Sequence, residues 1–338
     1  EAISSQTVET LVRHGHSCLE RGEWTEALLT FQRALFEEPL HIEARNGVGL
    51  VHLGRGDLNA ARKAFASVLE SDADNAHALL HLGTLELFAG APLLARDYCW
   101  QSRRSATDVV TRSHACFCLA LSYLALGEEV RAIRSFRESS RLVEDDEEAA
   151  RLNFRIANNL AGIERWELAR QYFLKVIRRE PEHGDAHLQL ADSCFQLGRY
   201  REAASFYRQA IRLEAGGGKA WHALGKCLLQ LERHAEAELA LRRALEHLPG
   251  LIEAHANLGQ AMMAQDRLEE ARDRFEEALE HDPGSVDTLV HISEVNRRLR
   301  NYKTSARYLR RALRYAPTHA AARKLLARVK EEERAACI

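Results

Sequence analysis

The sequence has no long apolar run. Its longest, ACFCLALSYLALG at 115–127, is too short and too polar to cross a bilayer, and residues 1–20 hold no signal-type apolar core. Net charge is also missing: Lys plus Arg number 47 against 49 for Asp plus Glu, a formal −2. That balance argues against general nucleic-acid binding and against a polyanionic shell, so any electrostatic preference has to be local. There is no C-x-x-C pair. Seven cysteines, an odd number, fit reduced and packed thiols better than a disulfide framework, and the cytoplasm is the expected compartment. The chain opens on Glu1 and not on Met, which leaves a removed leader or a trimmed chain open. Catalytic signatures are absent too: no H-E-x-x-H and no G-x-S-x-G. The glycine-rich GGGK at 216–219 has Leu213 where a P-loop needs its first Gly and Ala220 where it needs Ser or Thr, so it reads as a turn. In HACFC, His114 and Cys118 share a helical face while Cys116 points elsewhere. Zinc needs four ligands; His77 and His81, four apart one repeat earlier, could join them, but solvated histidines and packed thiols are the expected reading. No catalytic residue, metal or other cofactor is expected. The sixteen histidines are scattered, which argues for surface use over a catalytic cluster.

What the chain does have is a period. Stepping 34 residues brings small residues into register: Gly15, Gly49, Gly83, Ala120, Ala157, Ala191, Gly225, Gly259 and Ser293 in one column, and Ala27, Ala61, Ala95, Ala132, Ala169, Ala203, Ala237, Ala271 and Ser305 in another. Nine repeats result, with three extra residues at 110–112 and three at 147–149. Each repeat holds two apolar periods of about 3.6 residues separated by a short polar turn such as RGEW or AQDR, which predicts a helical hairpin. Gly or Ala at a helix crossing permits close approach of the axes. Phe31, Phe65, Phe136, Phe173, Tyr207 and Phe275 fill the wider space one turn beyond each second-helix Ala, and Pro39, Pro181, Pro249, Pro283 and Pro317 stop the second helix.

With Trp221, Leu224 and Gly225 in WHALG, and Ala271, Phe275 and Pro283 further on, the chain resembles the tetratricopeptide repeat family and its W-x2-L-G…A-x3-F…P pattern. The resemblance implies an all-α, right-handed superhelical solenoid of nine hairpins, at residues 8–41, 42–75, 76–109, 113–146, 150–183, 184–217, 218–251, 252–285 and 286–319, with a lead-in at 1–7 and a capping helix and tail at 320–338. The third and fourth repeats depart from the pattern: Ser102 and Ser139 replace the last Ala, and Thr107 and Glu144 the Pro, so altered curvature is expected there. In the capping segment Leu325, Leu326 and Val329 form the apolar side.

The resemblance implies a non-enzymatic scaffold or adaptor that binds protein in a concave groove lined by the first helices and helps assemble a complex. The alternative is the recruiting or regulatory arm of a larger enzyme. Inward positions put Arg151, Arg155, Asn158, Gln189, Lys219, His222, Lys226, Asn257 and Gln260 in the groove, with Asp185 and Asp192 as less favourable members. Guanidinium groups suit carboxylates, so an extended acidic or C-terminal peptide segment is the expected occupant. The family's chaperone-tail clamp is incomplete, because only Arg151 and Arg155 resemble a part of it. A bland reading competes: Arg151, Asp185, Lys219 and Glu253 alternate in sign and would pair with one another. Apolar inner positions at Val12, Leu50, Leu80, Phe117 and Leu121 suit an amphipathic helix instead. A second basic surface, Arg297, Arg298, Arg300, Lys303, Arg307, Arg310, Arg311 and Arg314, suits an acidic protein better than nucleic acid. The acidic run EDDEE at 144–148 reads as a helix start.

Overall fold

The computed structural model describes residues 2–336, with side chains for 7–336. Among these residues there are nineteen α-helices and no strand, so the all-α fold expected from the repeat is the one observed. The first four hairpins are α1 (Ala2–Glu20) with α2 (Trp24–Glu37), α3 (Ile42–Gly54) with α4 (Leu58–Ser71), α5 (Ala76–Phe88) with α6 (Pro92–Ser105), and α7 (Val109–Ala125) with α8 (Glu129–Leu142). Next come α9 (Asp146–Gly162) with α10 (Trp166–Arg179), α11 (Gly184–Gln196) with α12 (Tyr200–Arg212), and α13 (Gly217–Gln230) with α14 (His234–His247). Last are α15 (Ile252–Ala264) with α16 (Leu268–His281), α17 (Val286–Arg298) with α18 (Tyr302–Tyr315), and the single α19 (Ala320–Ala336). The chain divides into two compact units, one ending at Leu152 and the other beginning at Asn153. Residues 2–7, expected as a lead-in, are the opening turns of α1. The cap is described as far as Ala336.

The columns of small residues have a direct cause in the packing. A Cβ on Gly15 would fall 2.6 Å from the Phe31 ring, and one on Gly47, in the next hairpin, 2.4 Å from it. Glycine thus makes room for an aromatic ring that is fully buried. Burying such a side chain contributes about 1.5–3 kcal/mol. In the last hairpin both columns are serine. Ser293 and Ser305 lie with their hydroxyl oxygens 2.8 Å apart, and each hydroxyl also reaches the other's backbone carbonyl, at 3.2 and 2.9 Å. Residues twelve apart in sequence therefore meet where the two helices cross. The serines that replace the last Ala are satisfied in the same manner: Ser102 donates to the Ala76 carbonyl at 2.7 Å, and Ser139 to that of Ser113 at 2.8 Å.

Each proline of the stop column sits two residues past the end of its helix, as Pro283 does after His281. The extra residues 110–112 and 147–149 are not loop insertions. They lie in the opening turn of α7 and α9, which have 17 residues where α3, α5, α11, α15 and α17 have 13. Three or four residues make about one turn, so the helix takes them up at its end. Asp108 and Asp145 cap these turns, accepting the backbone N–H of Thr111 at 2.7 Å and of Glu148 at 2.8 Å. The acidic run accordingly opens α9. Histidine takes the same capping role elsewhere: Nδ1 of His41, His183 and His319 accepts the N–H three residues on. Several of the scattered histidines are therefore structural. The six described cysteines are buried and free, and burial pushes the thiols of Cys116 and Cys227 up to about 12; Cys337 lies outside the described residues.

Candidate functional site

The candidate site lies in the unit that begins at Asn153. Its first helices are amphipathic in an unusual sense, because the face turned away from the hairpin core carries amides and a few charges. A cavity of about 480 Å³ is lined by Asn158 of α9, Gln189, Asp192 and Phe195 of α11, Tyr207 of α12, and His222 and Lys226 of α13, with Trp166 closing one wall. An adjoining cavity of about 350 Å³ is again walled by His222 and Lys226, together with Glu253, Asn257 and Gln260 of α15 and Asp287 and His291 of α17. Six of the nine expected groove residues thus line one trough: Asn158, Gln189, His222, Lys226, Asn257 and Gln260.

The electrostatics centre on one cation and one buried acid. The Lys226 ammonium sits 5.0 Å from the Phe195 ring centroid, a cation–π geometry that holds it over the trough. Burial pushes the Asp192 carboxyl above its ordinary range, against the opposing pull of the Tyr207 hydroxyl, which donates to it at 2.5 Å, and of Lys226. Burial first, then the Asp192 charge, drives the Tyr207 phenol up, so it stays protonated and remains a donor. Burial and Lys226 lower the His222 pKa, which favours neutral imidazole. That agrees with Asn257, whose amide nitrogen donates to His222 Nε2 at 2.8 Å. The trough therefore offers amide donors and acceptors, one ammonium and an aromatic wall, with the carboxylates of Glu253, Asp282 and Asp287 along its second cavity.

The remaining expected residues lie elsewhere. Arg151 is exposed and pairs with Glu147 at 3.0 Å. Arg155 and Lys219 are exposed and line neither cavity. The mutual pairing of the alternating column does not form: among the described residues no ion pair joins Asp185, Lys219 and Glu253. The apolar inner positions need correction. Val12, Leu80 and Phe117 are 3, 7 and 2% exposed and belong to the hairpin core, with Phe117 against Phe136 at 5.6 Å. Only Leu50 and Leu121 remain half-open, too little for an amphipathic helix. Trp166, Phe195 and Tyr207 are trough residues that the inward-position rule missed, since they come from a helix start, the last turn of a first helix and the aromatic column. Among the described residues no three His, Cys, Asp or Glu side chains converge as a metal site would need. His81 instead stacks on Phe65 at 4.8 Å, and His77 meets Thr111 at 3.5 Å.

The second basic surface is only partly available. Arg297 is held by Glu294 at 2.7 Å and by both carboxylate oxygens of Glu332 at 2.8 and 2.9 Å, which ties α19 to α17. Arg298 bonds Asp266 at 2.7 Å, and Arg311 the Pro283 carbonyl at 2.7 Å. These three serve the fold. Arg300, Lys303, Arg307, Arg310 and Arg314 are exposed. Among the described residues no helix is long and apolar enough to cross a membrane.

Stacked helical hairpins with a polar trough on their first helices define an interaction repeat. Two family models described as tetratricopeptide repeat match the chain, one over residues 12–76, 49–107 and 154–218, the other over 195–250 and 228–291. The chain belongs to the tetratricopeptide repeat superfamily. Among solved structures it is similar to YrrB, a TPR protein with an unusual peptide-binding site, at 24% identity over 54% of this chain and 94% of that one, with a TM-score of 0.49. A tetratricopeptide repeat protein from Parabacteroides merdae aligns at 18% identity over 76% of this chain and 99% of its own, TM-score 0.47. Among curated proteins it is similar to the Protein CTR9 homolog of Arabidopsis thaliana, 41% identical over 70 residues, which are 20% of this chain and 6% of that protein.

Proposed function

We propose that the chain is a non-enzymatic scaffold whose trough, in the unit beginning at Asn153, binds an extended segment of a partner protein and so helps assemble a complex. The observation that carries this reading is the run of amides, Asn158, Gln189, Asn257 and Gln260, along cavities joined by His222 and Lys226. An amide side chain both donates and accepts, which matches the alternating N–H and C=O of an extended main chain. Lys226 supplies the charge for a carboxylate, from an acidic side chain or a chain end. Arg155 and Lys219, exposed at the first helices, extend the same preference outward.

The test is capture from native extract read by mass spectrometry. Replacing Asn257, Gln260 and Lys226 together with Ala should weaken capture by about 2 kcal/mol or more, roughly thirtyfold, as for central interface groups. Thermal melts should move little. Capture at wild-type strength by a normally melting variant would overturn the groove. The recruiting-arm alternative predicts that the native polypeptide, sized by intact mass, carries a catalytic domain beyond these residues.

A further inference from the structure

The second helices carry four outward positions in each hairpin, spaced as one helix face. In α16 they are Glu269, Asp273, Glu276 and Glu280; in α18 they are Lys303, Arg307, Arg310 and Arg314. Steps of four, three and four residues place each set on one face of its helix, and all eight side chains are exposed. None of the other seven second helices has four charges of one sign at these positions. The two sets are offset by one 34-residue repeat, so they lie level along helices of successive hairpins. The Tyr308 hydroxyl reaches Glu276 at 3.4 Å between them.

The stripes do not cancel each other. Among the described residues no ion pair joins α16 to α18; Asp273 pairs with Arg272 on its own helix, and Arg307 rests against the Tyr308 ring. The acids beside the stripe are already occupied, Glu270 by Arg267 and Glu277 by Arg274. What remains is an acidic band and a basic band, parallel and in register.

We propose that this face pairs with the same face of a second copy of the chain, about a twofold axis running between α16 and α18 and parallel to them. Such an axis lays the acidic band of each copy on the basic band of the other, and a twofold interface makes every contact twice. Glu276 then faces the partner's Arg310, while Arg310 faces the partner's Glu276. An axis across the helices would set like charge on like, so the pattern selects one arrangement. A purely acidic ligand, protein or nucleic acid, would gain α18 and be repelled by α16. A surface carrying both signs in register is matched by itself. The charges are exposed, and the screening length is about 10 Å at 0.1 M salt, so the association is weak and strongly salt-dependent.

Sedimentation of the full chain tests this. At about 50 mM salt the mass should climb with concentration toward the dimer, and at about 0.5 M it should return to the monomer. The acidic variant Arg307→Glu/Arg310→Glu and the basic variant Asp273→Arg/Glu276→Arg should each self-associate at least about tenfold more weakly. Mixed in equal amounts, the two should recover a dimer, because every contact is again between opposite signs. A mixture that stays monomeric, with both variants melting normally, overturns the pairing. So does a wild-type chain that is monomeric at low salt, which would hand the basic band to an acidic partner.

Discussion

The two units share a hairpin and differ in how its turn is made. In the unit ending at Leu152 every hairpin turn has a glycine at positive φ: Gly22, Gly56, Gly90 and Gly127, at 74 to 82°. In the unit beginning at Asn153 the same position is held by Glu164, Glu232, Asp266 and Arg300 at 57 to 64°, and by glycine only at Gly198. A side chain in the left-handed region costs about 1–2 kcal/mol, yet the hairpins of both units close alike. The columns of small and aromatic residues therefore set the geometry, and the turn follows. The outer surfaces diverge as well. Phe36, Phe88 and Val130 are 85, 76 and 65% exposed in the first unit, where the second carries charge on α16 and α18. One scaffold thus supports two different surfaces.

The largest effect that would break this account is in the shared core. Phe65 lies against Gly49 and stacks on His81, and Phe275 lies against Gly259 and stacks on His291, so the two rings occupy matched sites in different units. Phe65→Ala and Phe275→Ala should each cost about 3–5 kcal/mol by hydrogen exchange within their own unit. Losses that differ by more than about 1.5 kcal/mol would mean the cores are not equivalent.

Acid should separate the units next. Burial, aided by the charges of His77 and His114, lowers the His81 pKa from 6.5 to about 4. The folded state holds this ring neutral while the unfolded chain protonates it, so its contribution is complete above pH 6.5 and fades as the pH falls toward 4. About 3 kcal/mol should be lost from the first unit over that window, and His81→Phe should flatten the profile. His291, the matched ring of the second unit, is lowered too, but there Asp287 opposes the burial, so the response at that site should be smaller than at His81.

The smallest effect addresses the turns directly. Glu232→Gly should stabilise the second unit by about 0.5–1 kcal/mol in denaturant melts, since glycine removes the left-handed penalty. Gly56→Ala should cost a similar amount in the first: a Cβ there meets nothing within 4 Å, so the penalty is in the backbone alone. A turn that dictated the hairpin would respond several times more strongly.

The fold was legible because period and packing are the same fact. Gly15 and Phe31 stand in fixed columns since one vacates the space the other fills. The site was half legible. Inward positions found His222, Lys226, Asn257 and Gln260, because a helix face is a matter of spacing. Arg297 is not free surface: Glu294, three residues before it, is a partner that helical spacing shows, while Glu332 lies 35 residues on and is brought to it only by the packing of α19 on α17. Val12, Leu80 and Phe117 were assigned to the groove when burial puts them in the core. Their neighbours at the next helical positions face the same general direction, and sequence does not resolve which side chain the second helix covers.

Phe31 is held from two sides, by Gly15 of its own hairpin and Gly47 of the following one. Ownership of that ring is shared, so the seam between the first two hairpins is filled by the same side chain as the interior of the first. Insertion of a whole 34-residue block keeps the columns in register, although their occupants differ, with Cys99 against Gly83, Leu241 against Gly225 and Ser305 against Ser293. A change of any other length has to be absorbed outside the columns. The three extra residues of α7 and of α9 are taken up in this way, each by about a single added turn.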